Sequence, residues 1–289
     1  MPEASAVPQA RRQLMHLGIG FFATDLTNDI RDVARAAEDA GFESLFVAEH
    51  THIPTSRQTA YPQGGDLPEV YSHTVDPFVS LSFAAAVTER ITLGTAVCVV
   101  TERDPVVTAK EVSSLDRLSG GRFLFGVGVG WNREEMADHG TAFEDRWAVL
   151  GDRVRLMQAL WTSDVASYEG VHARVSESWQ WPKPAQSPLP VLIGGSSRTA
   201  MRETVAYGTG WMPMPARQAL PERLAELAAL AAAAGRPVPP VTMYWARPDR
   251  GVLDHYAALG VQRSVLLLPF EPDVLPTLRE WSRLVREDS

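Results

Sequence analysis

Two hydrophobic rhythms alternate along the chain. Short apolar runs of strand length lie at 16–21, 44–47, 91–97, 123–127, 191–193, 210–212, 241–245 and 264–268. Between them, apolar residues recur every three to four positions, the spacing of one helix face. This second pattern predicts helices at 27–40, 133–138, 144–160, from 197 onward, at 221–234 and at 249–259. A last helix carries Val274, Leu278, Trp281 and Val285 on one side. Asp76-Pro77 and Asp104-Pro105 each open a further helix, with Asp as N-cap and Pro in the first turn. Gly41 stands where a left-handed C-terminal cap belongs. Strands alternating with helices imply a parallel sheet covered by helices, and eight such pairs predict a (β/α)8 TIM barrel, although an open doubly wound sheet uses the same alternation. Two long segments, 49–74 and 163–188, lack either rhythm. They read as insertions at the C-terminal strand ends, placed to close over a substrate. Residues 1–13 are expected to form a flexible tail and 14–289 a single barrel domain.

Barrel enzymes carry their sites at the C-terminal ends of the strands, which directs attention to a few short stretches. After the second strand come Glu49, His50, Thr51 and His52. Histidine titrates near neutral pH and moves a proton in either direction, so His50, with Glu49 beside it, is a candidate acid/base pair. The plainer reading is a satisfied loop histidine. A metal would need a third ligand from His73, Asp76 or Glu102, and no zinc-type spacing is present. After the fourth strand, Gly126, Gly128 and Gly130 precede Trp131. They are too closely spaced for a dinucleotide fingerprint. They leave room for a flat ring or serve tight barrel packing. After the fifth strand, Gly194, Gly195, Ser196, Ser197 and Arg198 lead into a helix. Unpaired N–H groups, hydroxyls and one cation make this an anion site, or else a plain turn with a Ser cap.

Composition narrows the partners. The net charge is −8, with no basic stripe, so nucleic acid is not expected. No apolar run approaches the roughly 20 residues of a membrane helix, and the N-terminal residues lack the apolar core of a secretory signal. The single cysteine, Cys98, forms no internal disulfide, which suits the cytoplasm. No nucleophile elbow is present.

The stretches AGFESLFVAEH (40–50), RITLGTAV (90–97), DPVVTAKE (104–111), LDRLSGGRF (115–123) running on to Gly130 and Trp131, and VLIGGS (191–196) together resemble the luciferase-like monooxygenase superfamily. They are more similar to its coenzyme F420-dependent branch. The resemblance implies a barrel that seats F420, or alternatively FMN, in its mouth. It implies a bulge with a cis peptide at Ala96–Val97, ring contacts from Gly128, Gly130 and Trp131, and a phosphate held by Gly194, Gly195 and Ser196, with Ser197 and Arg198 nearby. His50 matches the family's strand-two histidine, and Glu49 an acidic partner. Trp131 stands where sugar-phosphate dehydrogenases of that branch carry a catalytic Glu, which argues against a sugar-phosphate substrate. The expected activity is hydride transfer between F420 and a small organic molecule, with His50 moving the coupled proton, in a homodimer. The rivals are an FMN-dependent monooxygenase, a non-catalytic cofactor binder and a metal-dependent barrel enzyme.

Overall fold

Each strand of the sheet divides its side chains between two layers, as the period of two requires. In β2 (Ser44–Val47), Leu45 and Val47 turn outward into the cluster beneath the helices, while Phe46 and the following Ala48 join the barrel interior. In β8 (Val191–Gly194), Val191 and Ile193 face out and Leu192 faces in. A Cβ on Gly94 would lie 2.4 Å from the Phe46 ring, so that glycine is what admits a large aromatic side chain to the interior.

The computed structural model describes residues 15–215 and 219–286; the expected tail at 1–13 lies outside them. The remaining strands are β1 (His16–Phe21), β3 (Thr92–Thr95), β4 (Cys98–Val99), β5 (Phe123–Gly128), β6 (Ala166–Glu169), β7 (Arg174–Ser178), β9 (Gly210–Met212), β10 (Thr242–Ala246) and β11 (Arg263–Leu267). The helices are α1 (Ile30–Asp39), α2 (Pro77–Ala86), α3 (Pro105–Leu118), α4 (Arg133–Asp138), α5 (Arg146–Thr162), α6 (Arg198–Tyr207), α7 (Leu220–Ala233), α8 (Arg250–Ala258) and α9 (Leu275–Arg286). Parallel pairing runs β10-β11-β1-β2-β3-β5-β8-β9, with β4 also on β5. The ring closes through a parallel bridge between Trp211 and Val241, supported by the Trp211 N–H on the Pro240 carbonyl at 2.9 Å. The fold is a nearly closed (β/α)8 barrel.

The start signals act as expected. One carboxylate oxygen of Asp76 accepts from the Phe78 and Val79 N–H groups, and Asp104 does the same for Val106 and Val107. Gly41 has φ +86°, the left-handed value that ends α1. Two expectations are corrected. The third strand is not one continuous run over 91–97: it breaks into β3 and β4 around a cis peptide between Ala96 and Val97, at the place where the family resemblance puts one. The 163–188 segment does not cover the mouth. It forms the antiparallel β6–β7 hairpin on α5, where Asp152 accepts from the Tyr168 hydroxyl at 3.0 Å and the His172 N–H at 2.7 Å. It then runs down α3, with Gln180 donating to the Val106 carbonyl and Gln186 to Asp116. The segment connects a helix to the next strand, so it enters the sheet at the end opposite the site. Among the described residues no helix is long and apolar enough to cross a membrane.

Candidate active site

His50 leaves β2 at the barrel mouth with its side chain only 7% exposed. Both ring nitrogens are engaged. Nδ1 lies 2.7 Å from Glu135 Oε2, and Nε2 is 3.3 Å from the Trp131 indole N–H. An ionised carboxylate accepts only and an indole donates only. The neutral ring therefore carries its proton on Nδ1 and presents the Nε2 lone pair to Trp131. The second Glu135 oxygen accepts the Thr51 N–H at 2.9 Å. Burial alone would raise the Glu135 carboxyl; hydrogen bonding and charge from His50, with the Thr51 and His52 N–H groups, outweigh it and hold the pKa below the usual carboxylate range.

Glu135 is the residue that sequence reasoning missed. It sits three positions after Asn132, whose side chain caps α4 by accepting from the Glu134 and Glu135 N–H groups. Read from sequence, a Glu at that spacing is a capping-box residue. Here it reaches across to another element instead.

Glu49 is not the acidic partner of His50. Its carboxylate is buried and turned the other way, accepting the Val99 N–H at 2.6 Å and pairing with the Arg103 guanidinium. Arg103 also meets Asp76, and Glu111 at 3.3 Å. Glu49 thus fixes β4 just beyond the Ala96–Val97 bulge. The metal alternative does not assemble either. His52 bonds Asp138, His73 bonds Asp25 and Asp76 bonds Arg103, and no metal-holding group of three forms among the described residues.

The glycines divide by role. A Cβ on Gly128 would meet Val97 Cγ2 at 2.5 Å, one on Gly194 would meet Val97 Cγ1 at 2.6 Å, and one on Gly126 would fall 1.9 Å from the Thr95 carbonyl oxygen. These three make space for the bulge itself. This is the tight-packing reading of the glycines. The anion loop is reduced. Gly194 and Gly195 line the cavity, but the Ser196 hydroxyl is bonded to the Met214 backbone. Ser197 caps α6 through the Ala200 N–H. Arg198 points away to Glu226 of α7 at 2.8 Å. The Gly195 N–H is itself donated to the Met212 carbonyl at 3.2 Å, so what remains for an anion is the N-terminal turn of α6.

These groups surround a cavity of about 300 Å³ at the mouth. His50, Glu49, Trp131, Ala96, Val97, Gly128 and Gly130 all contribute to its wall. The 49–74 segment adds Tyr61 and Tyr71, whose hydroxyls lie 3.0 Å apart. Opposite, β10 supplies both Tyr244 and Trp245. Successive strand residues normally point to opposite faces. Here the register against β11 slips between Tyr244 and Ala246, and Trp245 has φ +64°, which brings both rings to the same cavity. No Lys or Arg is among the lining residues described.

The barrel agrees with what comparison finds. The model of the family described as luciferase-like monooxygenase matches residues 11–252. The chain belongs to this family. An uncharacterized protein of Mycobacterium tuberculosis strain H37Rv, Rv0953c, is 40% identical over 260 residues, covering 88% of this chain and 92% of that protein. An F420-dependent glucose-6-phosphate dehydrogenase of Intrasporangium calvum is 31% identical over 182 residues, 61% of this chain and 50% of that protein, so the match spans half of that relative. Among solved structures, the monooxygenase RslO1 of Streptomyces bottropensis superposes with TM-score 0.77 at 18% identity, covering 95% and 98% of the two chains. An F420-dependent secondary alcohol dehydrogenase bound to an F420-acetone adduct gives 0.74 at 17% identity, covering 95% and 100%. At such identities these structures speak for the fold of this luciferase-like protein.

Proposed function

We propose that this protein is an oxidoreductase that transfers a hydride between coenzyme F420 and a small uncharged organic substrate, with His50 as proton donor or acceptor. The observation that carries the reading is His50 itself: a nearly buried ring in an apolar cavity, its Nδ1 held by Glu135 and its Nε2 side turned to Trp131 and the cavity. The residues fit a flat cofactor. Small groups at Ala96, Gly128, Gly194 and Gly195 border one side of the cavity, and the α6 N-terminus adjoins it. Relatives named as F420-dependent support the deazaflavin over FMN.

A bound deazaflavin supplies or takes up the hydride. The protein moves the proton and excludes water. Reduction of a carbonyl or activated double bond consumes one proton beside the hydride, and oxidation of an alcohol releases one. His50 Nε2 serves both directions once the long Trp131 N–H contact gives way to the substrate, because the Glu135 carboxylate stabilises the imidazolium whenever it forms. Tyr61 and Tyr71 close the mouth over the reacting atoms. The described lining has no Lys or Arg to pair with a sugar phosphate beside the cofactor, which sets the substrate apart from one. The buried, unpaired Cys98 suits a reducing cytoplasm.

The test is a fluorescence titration of the purified chain with F420 and, separately, with FMN. Tight F420 binding with weak FMN binding is expected. The reverse selects the FMN-dependent monooxygenase reading, and binding of neither removes the cofactor assignment altogether.

We also propose that two copies pair through α2. Val79 is 53% and Phe83 52% exposed on a helix face beside Val75, which is 40% exposed. Burying such a side chain contributes about 1.5–3 kcal/mol, and a twofold interface counts it twice. Phe83→Asp is therefore expected to weaken self-association about a hundredfold in sedimentation experiments. An unchanged association constant would place the contact elsewhere.

A further inference from the structure

Glu102 follows β4 and lies behind the cavity wall. It is 6% exposed, and neither carboxyl oxygen has a hydrogen-bond partner. A Cβ placed on Gly130 would lie 3.2 Å from Glu102 Oε1, so the carboxyl sits directly under a residue that lines the cavity. A second carboxyl, Glu135 of α4, which packs on the 100–102 turn, stands within hydrogen-bonding reach of it. Two carboxylates cannot satisfy each other, since both only accept. One carboxylic acid and one carboxylate can, through a single O–H···O bond. An ionised group left buried without a partner is far costlier than a neutral one.

We propose that Glu102 is a neutral carboxylic acid that donates its O–H to Glu135 and so holds Glu135 as the anion facing His50, making Glu102, Glu135 and His50 one proton-sharing chain. Glu102 is a positioning residue in this arrangement. With Glu102 protonated, Glu135 ionised and His50 neutral, the chain carries one negative charge. Uptake of the substrate proton at His50 Nε2 brings it to zero, and Glu102 keeps its proton throughout. An ionised Glu102 would instead put two adjacent negative charges behind His50.

The surrounding charges decide which carboxyl keeps the proton. Glu135 has His50 and backbone N–H groups to stabilise its charge. Glu49, the next acid, has Arg103 and the Val99 N–H. Arg103 is engaged by Glu49, Asp76 and Glu111. From α5, Arg153 donates to the Val100 and Arg103 carbonyls. None of these cations bonds Glu102. Burial first, then repulsion from Glu135 and Glu49, push its carboxyl up to about 9.

The ionisation of Glu102 can be read without any cofactor. That keeps it separate from the F420 assignment, although its use in catalysis rests on the reading of His50 given above. Infrared spectra of the full chain in D2O at neutral pH are expected to contain a protonated-carboxyl C=O band. Glu102→Gln, which keeps the shape and an N–H donor toward Glu135, should remove that band. A group raised in the folded state stabilises fully below the ordinary carboxylate range, and that contribution fades as pH rises toward its folded value. Wild-type stability should therefore fall relative to Glu102→Gln between about pH 5 and pH 9. Absence of the acid band in the wild type, its survival in Glu102→Gln, or parallel stability curves would each overturn the proposal. Should the variant not fold, the wild-type band alone carries the test. It is expected to vanish as pH rises through about 9, and its loss already in the ordinary carboxylate range would overturn the proposal.

Discussion

Replacing His50 with alanine is expected to lower turnover by about 10²–10⁴-fold, the range associated with loss of a positioned acid/base, while cofactor affinity changes by no more than about a few-fold. The asymmetry follows from where the ring stands. Its two nitrogens bond Glu135 and Trp131, whereas the cofactor surface proposed here is made by Ala96, Val97, Gly128 and the Gly194–Gly195 turn. Glu135→Gln is expected to fall in the same range for a different reason. A glutamine can present its NH2 group to Nδ1, drawing the lone pair to that nitrogen and moving the proton to Nε2, where it would face the Trp131 N–H. Nitrogen NMR of His50 reports that tautomer directly. Steady-state turnover in both variants equal to wild type would remove His50 and Glu135 from the chemistry. A large loss of cofactor affinity in His50→Ala would instead make the ring a binding group.

The barrel is legible in the sequence because strand and helix rhythms are local. The apolar runs at 16–21 and 210–212 coincide with β1 and β9, and the Asp-Pro pairs mark the starts of α2 and α3. His50 is also legible, as a titratable residue at a strand end. Its partner is not. Glu49 is adjacent in sequence and is the natural candidate, yet a neighbour at the strand end turns to the opposite side and meets Arg103. Glu135 lies 85 positions from His50 and looks like a helix-capping residue. The same limit applies to Ser197 and Arg198. Their residue types announce a turn and a cap, but the direction of each side chain is set by α7 and by the α6 backbone. The pairing of Tyr244 with Trp245 on one face contradicts strand periodicity, and only the left-handed backbone at Trp245 explains it. The 163–188 segment misleads for a related reason: absence of periodicity marks an insertion without saying which end of the barrel it occupies.

Arg103→Met is expected to destabilise the fold by about 3–5 kcal/mol, the cost of leaving a buried charge without its partner, lowering the melting temperature by about 10 °C for a chain of this size. The reason lies with Glu49, whose side chain is 1% exposed against 13% for Arg103. Removing the guanidinium strands that carboxylate, loosens Asp76 at the start of α2, and takes away a cation 4.9 Å above the Phe78 ring. Glu49→Gln combined with Arg103→Met removes both charges while the amide still accepts the Val99 N–H, so the double variant should recover most of the loss. Contacting residues give such non-additive energies, and distant ones do not. The effect should also reach the cavity. Glu49 ties β4 to the end of β2 at the Val99 N–H, two residues past the Ala96–Val97 peptide, so weakening that tie frees the wall against which the ring is proposed to lie. Arg103→Met should therefore bind F420 more weakly than the double variant does, even below its melting transition. Equal stability of the single and double variants would show that Arg103 acts through packing on Phe78 and not as the counter-ion of Glu49.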